Sequence, residues 1–380
     1  DRSVSRGLGD VYKRQVPYTT KVLSIKESMS IARTAKATVI ANVLADLDEV
    51  INGNYLPTSY DADNKGRITR WAAMAIKAKI YLFEGNWTQV KNITSTIMTE
   101  GGFKLFGSYA GLFEIANEYN SEVILDAQYR PTSREHQMMY VFLPPTLGGY
   151  SQLSPLQELV DSYIMLDGKT IKETGTSFDE SHPYANRDPR LKATVMYTGN
   201  SYTLADGTEV VINCEKGEGK DGYGVGSDCS ATGYYIKKYW DNTYRATLYS
   251  GLNPILIRYA DILLMNAEAL AELGELDKTA WDATIKPIRD RAGFTLASAL
   301  EFPEGASKDK LIEIVRNERR SELALEGHRH KDIIRWRIAD NVLNGWCHGL
   351  KTNDVVGTDD GYVRVENRTF NANKHYLWPI

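Results

Sequence analysis

"ILIRYADILLMNAEALAELG", residues 255–274, decides the fold. Leu256, Ala260, Leu263, Leu264, Ala267 and Leu270 recur at helical spacing and share one face. Gly274 follows as the left-handed residue that commonly ends a helix. The chain then returns through "ELDKTAWDATIKPIRDRAG", residues 275–293, as a second helix. Working outward, the same grammar occurs upstream. "GRITRWAAMAIKAKIYLFEG", residues 66–85, has apolar residues at 68, 71, 72, 75, 78 and 82 and closes on Gly85. Asn86 is placed to cap the next helix, "WTQVKNITSTIM", with Trp87, Val90, Ile93 and Ile97 on one side.

In both hairpins an alanine precedes the turn glycine by the same interval: Ala78 before Gly85, Ala267 before Gly274. A small residue there lets two helices approach closely. The spacing resembles a tetratricopeptide repeat, a helix pair of about 34 residues. Such pairs bury their faces against neighbours and build a superhelix. The expected fold is therefore mostly α: tetratricopeptide-like helix pairs in an α-α superhelix, with long loops and a few short strands.

Composition narrows the function classes. The 380 residues are 42% hydrophobic and 25% charged, with a net charge of −4, enough for a large core. No basic block stands out, which argues against a nucleic-acid groove. No apolar run is long enough to span a bilayer. Residues 1–15, "DRSVSRGLGDVYKRQ", carry no helical or strand period and are expected to be a non-native leader outside the fold.

Between the hairpins the texture changes. "YVFLPPTLGGYSQLSP" (140–155) and the Gly-rich "CEKGEGKDGYGVGSDC" (214–229) read as loops. "LKATVMY" (191–197), "EVVIN" (209–213) and "GYYIKKYW" (233–240) read as short strands, and 351–373 as loop again. Loops on a rigid scaffold are where binding residues usually sit. A flat aromatic ring among polar neighbours suits a sugar, which has C–H groups on its faces and hydroxyls at its rim. Four loop aromatics fit that description. They are Tyr150 in "LGGYSQ", Trp240 and Tyr244 in "YWDNTYR", and Tyr60 in "PTSYDADN". Asp241, Asn242 and Arg245 would supply a polar rim, whereas Trp71, Trp87 and Trp281 fall in the helix pairs and read as core.

Metal and catalytic motifs fail on inspection. "YDADNKG" begins like a calcium loop, but its twelfth position is Ala72, not a glutamate. His328 and His330 are two apart, not the four of a zinc pair on a helix. No metal ligand, cofactor motif or catalytic constellation emerges. "NERRSELALEGHRHKDIIRW", residues 317–336, is the most charged stretch. On a helix, Leu311, Val315, Glu318, Glu322 and Leu325 share a face, with Arg316, Arg319 and Arg320 near enough to pair locally. Two carboxylates on an apolar stripe are either a catalytic acid pair or a structural ion network, and the latter is the expectation.

Several segments together resemble the SusD/RagB family. They are "RYADILLMNAEAL", "IRDRAGF", "IVRNERRSELALEGHRHKDIIRW" and the final "HYLWPI", with "RWAAMAIKAKIYLFEGNW", "NEYNSEVILDAQY", "NRDPRLKATVMYTG" and "GYYIKKYW" upstream. The resemblance spans residues 31–380. It implies one domain over 16–380. Within it lie a helical repeat part (31–130), a loop-rich ligand face (131–250), a C-terminal helical signature (251–350) and a tail (351–380). It further implies a non-enzymatic, cell-surface lipoprotein of the outer membrane. Such a protein captures an oligo- or polysaccharide and delivers it to a TonB-dependent, SusC-like transporter. The family's lipid-bearing cysteine is not in this sequence, and the chain stops at "WPI", where the family usually continues. In the family's oxidising compartment Cys214 and Cys229 are expected to form a disulfide, leaving Cys347 free. The rival readings are a helical glycoside hydrolase using paired carboxylates and a peptide-binding repeat protein.

Overall fold

The structure, a computed structural model, describes residues 17–243, 248–354 and 356–376. Tyr244 and the segment 1–15 lie outside the described residues. Eight helices carry the architecture: α1 Lys36–Asn52, α2 Arg70–Glu84, α3 Trp87–Glu100, α4 Pro189–Thr194, α5 Tyr259–Leu273, α6 Lys278–Ala292, α7 Lys308–Glu322 and α8 Arg329–Arg335. Both expected hairpins form. Thr69 caps α2, Gly85 ends it at φ 70°, and the Asn86 side chain accepts from the Gln89 amide to start α3. Gly274 ends α5 at φ 73°, and Asp277 caps α6.

The hairpins stack on one another. Helix α3 lies against α5, and α7 packs on the opposite hairpin through α5. Ala78 and Ala267 are fully buried, as close helix approach requires. Trp71 and Trp281 are core residues, and Trp87 packs against the first hairpin's core. The α3–α5 seam carries one polar tie. Asn266 donates to the Thr94 hydroxyl at 2.9 Å and to that of Ser95 at 3.1 Å.

Four small sheets hang from this scaffold. Strand β1 (Val123–Asp126) pairs antiparallel with β6 (Ile255–Arg258), β2 (Val195–Met196) with β5 (Tyr235–Ile236), and β3 (Ser201–Thr203) with β4 (Glu209–Val211). Strands β7 (Gly345–Lys351), β9 (Tyr362–Arg368) and β8 (Thr358–Asp359) form the fourth. Three expectations are corrected here. Leu256 belongs to β6, not to the helix, and is 48% exposed. The run 191–197 is helix through Thr194 before it extends. The segment 351–373 contains β8 and β9 rather than loop alone.

A separate core fills the space under the loops. Tyr163, Tyr202, Tyr234 and Tyr235 are buried there with Met139, Leu143 and Met196. Buried tyrosines need partners for their hydroxyls. Tyr202 donates to the Ile236 carbonyl at 2.7 Å, and Tyr234 to Gln157 at 2.6 Å.

Candidate functional site

The charged segment 317–336 is not one helix. Helix α7 ends at Glu322, Leu325 has φ 63° and is 39% exposed, and α8 begins after Gly327. Leu325 therefore leaves the predicted stripe. Glu318 and Glu322 do lie inside, but their partners are not the neighbouring arginines. Glu318 holds Arg190 and Arg289, each at 2.7 Å. Glu322 holds Arg190 at 2.8 Å, Arg258 at 2.6 Å, and Arg291. Glu326 adds Arg258 at 2.8 Å and Lys238 at 2.6 Å, Glu122 adds Arg258 and Arg291, and Asp188 adds Arg190. Five carboxylates thus meet five cations.

Burial alone would raise the Glu322 carboxyl. The guanidiniums of Arg291, Arg258 and Arg190 outweigh it and hold the group well below the usual carboxylate range. Glu326 is likewise lowered to about 2, its burial outweighed by Arg258 and Lys238. A general acid needs the opposite shift and a path to substrate. This cluster is scaffold: it clamps α7 to α4, β6 and α6.

Loop aromatic residues lie elsewhere, some of them beside β1–β6. Tyr119 is 40% exposed and donates to the Gln128 side chain, with the Lys65 ammonium 5.7 Å from its ring. Gln128 in turn donates to Asp126. Asn253 bridges underneath, donating to Asp126 at 3.2 Å and accepting from the Tyr129 amide at 2.6 Å. The Tyr129 ring meets His136 edge-on at 4.7 Å, with Arg134 5.4 Å from its centre. His136 and Ser250 exchange backbone hydrogen bonds, and the Ser250 hydroxyl reaches Asp241 at 2.6 Å. Tyr150, 41% exposed, lies against Tyr140 with ring centres 4.4 Å apart. The loops thus carry two tyrosine groups: Tyr119 and Tyr129, joined through Gln128, Asp126 and Asn253, and Tyr140 paired with Tyr150. Burial raises the carboxyls of Asp126 and Glu118.

The predicted ligand residues fare differently. Tyr150 projects as expected. The tight turn that presents it requires Gly149, because a Cβ there would lie 2.1 Å from the Leu143 carbonyl oxygen. Tyr60 is half-buried and donates to the Ile68 carbonyl at 3.3 Å. Its loop approaches Tyr119's partner Gln128 at Gly66, φ 84°, where a Cβ would push the Gln128 side chain aside. Trp240 is half-buried; its indole N–H is given to the Thr203 carbonyl at 2.8 Å and its ring sits edge-on to Tyr202. Sequence reading missed Tyr119, Tyr129 and Tyr140. The available signal was tyrosine in polar surroundings, as in "NEYNSEV".

A second tyrosine-lined space, about 910 Å³, opens beside β9. Its Tyr184 is stacked on Tyr197 at 4.0 Å and hydrogen-bonded to Tyr234. Those rings are engaged with one another, as Tyr140 and Tyr150 are, but they are less exposed than Tyr119 and Tyr150.

The disulfide expectation is corrected. Cys214, Cys229 and Cys347 are all free. The Cys214 thiol is buried in the tyrosine core, and burial pushes its pKa up strongly. The Cys229 thiol faces the Lys220 carbonyl at 3.4 Å. The loop between them closes instead through backbone hydrogen bonds, Tyr223 to Cys214, Gly217 to Tyr223 and Gly222 to Glu218. Thiol titration of the unfolded, unreduced protein is expected to count three reactive groups; a count of one would restore the bridge.

The class follows from these features together: a helix-pair scaffold clamped by a buried arginine–glutamate cluster, with tyrosine-bearing loops. The chain belongs to the SusD family, whose model matches residues 112–380. A SusD-like protein of Formosa agariphila, P25, is 28% identical over 86% of this chain and 60% of its own length. This chain thus spans about three-fifths of that relative. Among solved structures, a SusD-like carbohydrate binding protein from Bacteroides fragilis superposes with a TM-score of 0.85. It is 28% identical, over 100% of this chain and 75% of that one. A laminarin binding SusD-like protein shares the fold at TM-score 0.60, with 23% identity over 90% of this chain and 70% of that one.

Proposed function

We propose that this protein captures oligo- or polysaccharide at the cell surface, as a non-enzymatic binding protein, and passes it to a SusC-like TonB-dependent transporter in the outer membrane. The observation that supports the reading is the pair of loop tyrosine groups, Tyr119 with Tyr129 and Tyr140 with Tyr150, in which Tyr119 and Tyr150 are exposed. Tyr119 is hydrogen-bonded to Gln128, which together with its polar loop neighbours is proposed to meet sugar hydroxyls while the exposed rings stack on sugar faces. The carbohydrate-binding relative from Bacteroides fragilis supports the substrate class. Tyr60 belongs to the same proposed face, and Tyr244 is proposed as a ligand residue on its sequence context alone. Trp240, half-buried against Tyr202, is proposed to contribute its remaining exposed surface. No described helix is long and apolar enough to cross a membrane. Attachment at the surface would come from a lipid anchor outside this sequence.

A glycan array followed by calorimetry tests the proposal. Tyr119→Ala and Tyr150→Ala should each weaken binding of the selected glycan by roughly tenfold, the scale of losing one aromatic stacking contact of ~1.5 kcal/mol. Melting temperatures should stay within a few degrees, since both rings are exposed. Undiminished binding in both variants would move the site away from this face. Release of reducing sugar from any array member would favour the hydrolase reading.

A further inference from the structure

Arg320 and Arg329 differ from the other arginines of the segment 314–336. Arg316 holds Glu272 at 3.0 Å, Arg319 holds Asp261 at 2.6 Å, and Arg335 holds Glu268 at 2.6 Å. Arg320, on α7, donates only to the backbone carbonyl of Glu158. Arg329, at the start of α8, makes no ion pair with any described residue; its guanidinium lies 5.8 Å from the Trp336 ring centre. Burial lowers the pKa of both, that of Arg329 to about 10, with the Arg320 charge adding to it. Two partly buried like charges thus face the same cavities, which is costly unless an anion joins them.

Three of the carboxylates that share these cavities are already committed. Asp332 is held by Arg319 at 2.9 Å and Arg335 at 2.8 Å. Glu158 accepts from the His348 ring at 2.8 Å and from the His348 amide. Glu272 is held by Arg316. Meanwhile both guanidiniums, neither in an ion pair with a described residue, line two cavities at once. One, of about 570 Å³, has apolar walls that include Leu323, Ile333 and Trp346. The other, of about 800 Å³, also takes in Arg316, whose Nε is buried without a hydrogen-bond partner.

We propose that Arg320 and Arg329 form a binding site for a tetrahedral oxyanion, sulfate or phosphate, either free or as an ester on a larger ligand. Each guanidinium is a planar fork that pairs with two oxygens. A carboxylate would fill one fork; a tetrahedral ion has oxygens for both. The site is separate from the two tyrosine groups and does not depend on the proposed glycan function.

The test is thermal melting of the whole protein in sodium sulfate, sodium phosphate and sodium chloride at matched ionic strength. Sulfate or phosphate should raise the melting temperature saturably, and chloride should not. Arg320→Gln and Arg329→Gln should each weaken that binding by roughly tenfold, the loss of one charged hydrogen-bonding fork. Without oxyanion both variants should melt at or above the wild type, because an uncompensated cation has been removed. Glucose 6-sulfate and glucose separate the sources. Tighter binding of the sulfated sugar than of sulfate identifies an ester ligand, whereas binding of the inorganic ion alone identifies a free one. The inference is overturned if sulfate and phosphate act no differently from chloride on the wild type. It is also overturned if both variants bind as the wild type does, or if they melt clearly lower in chloride, which would make these arginines structural. Where a variant fails to fold, saturation of the wild-type response at low anion concentration decides, since the general stabilisation by sulfate and phosphate grows without saturating.

Discussion

Replacing Glu322 by alanine is expected to lower stability by roughly 3–5 kcal/mol, the usual consequence of removing one member of a buried ion pair. The magnitude follows from what is left behind. Asp188, Glu122, Glu318, Glu322 and Glu326 offset Arg190, Arg258, Arg289, Arg291 and Lys238 in a region shut off from water. Without Glu322 one positive charge is uncompensated. Arg190, Arg258 and Arg291 each lose an acceptor that solvent cannot replace. Glu322→Gln should cost nearly as much, since shape is kept but charge is lost. Glu313→Ala is the control: its side chain is exposed and its pair with Lys310 lies on the surface, where such pairs contribute little. Urea unfolding measures all three. An unchanged midpoint for Glu322→Ala would show that the cluster relaxes around the gap.

Acid should unfold the protein from the same cluster, over a window that can be stated. Glu318, Glu322 and Glu326 have folded pKa values below the usual 4.5, Glu326 at about 2. A carboxyl lowered by folding contributes stability that is fully present above its unfolded pKa and lost as pH falls through the folded one. For Glu326 alone, from 4.5 to about 2, that is ~3 kcal/mol. His328 acts earlier. Burial lowers its pKa from 6.5 to about 4, so the folded state resists the proton that the unfolded chain accepts. Its contribution is lost between those two values. Asp126 and Glu118, raised by burial, act with the opposite sign and offset part of the loss. The urea midpoint should therefore be flat above pH 6.5 with respect to these groups, begin to fall below it, and drop most steeply from 4.5 towards 2. A midpoint constant from pH 6 to pH 3 would contradict this account. Glu326→Gln should flatten the lower part of the curve.

The hairpins were legible because their determinants are local. Helical spacing and the glycines at 85 and 274 lie within single windows of sequence. Leu256 was misread for the complementary reason. The apolar run Ile255–Arg258 fits helix or strand equally well, and only its pairing with Val123–Asp126 decides. The C-terminal sheet was hidden by irregularity: register shifts at Cys347/His348 and His348/Lys351 break the alternation that marks a strand. In α7 the buried carboxylates could be read from the stripe, but their partners could not. Arg190, Arg258 and Arg291 are remote in sequence, and nothing local distinguishes them from surface arginines. The ligand face shows the same division. Tyr150 stands out beside its two glycines. Tyr119 and Tyr129 become neighbours only through Gln128, Asp126 and Asn253, a contact set closed by the β1–β6 pairing.

The arginine–glutamate cluster has a kinetic consequence. Its members come from Glu122, Asp188–Arg190, Lys238, Arg258, Arg289–Arg291 and Glu318–Glu326, so no single stretch of chain can assemble it. Contacts between such distant positions close late, after the local hairpins have formed, because loop-closure entropy must be overcome first. Interactions absent from the folding transition state leave the folding rate nearly unchanged and slow the reverse reaction. The cluster should accordingly govern how long a folded molecule lasts rather than how quickly it forms. Glu322→Ala should refold at close to the native rate and unfold much faster, giving a shorter lifetime wherever proteases outpace reclosing.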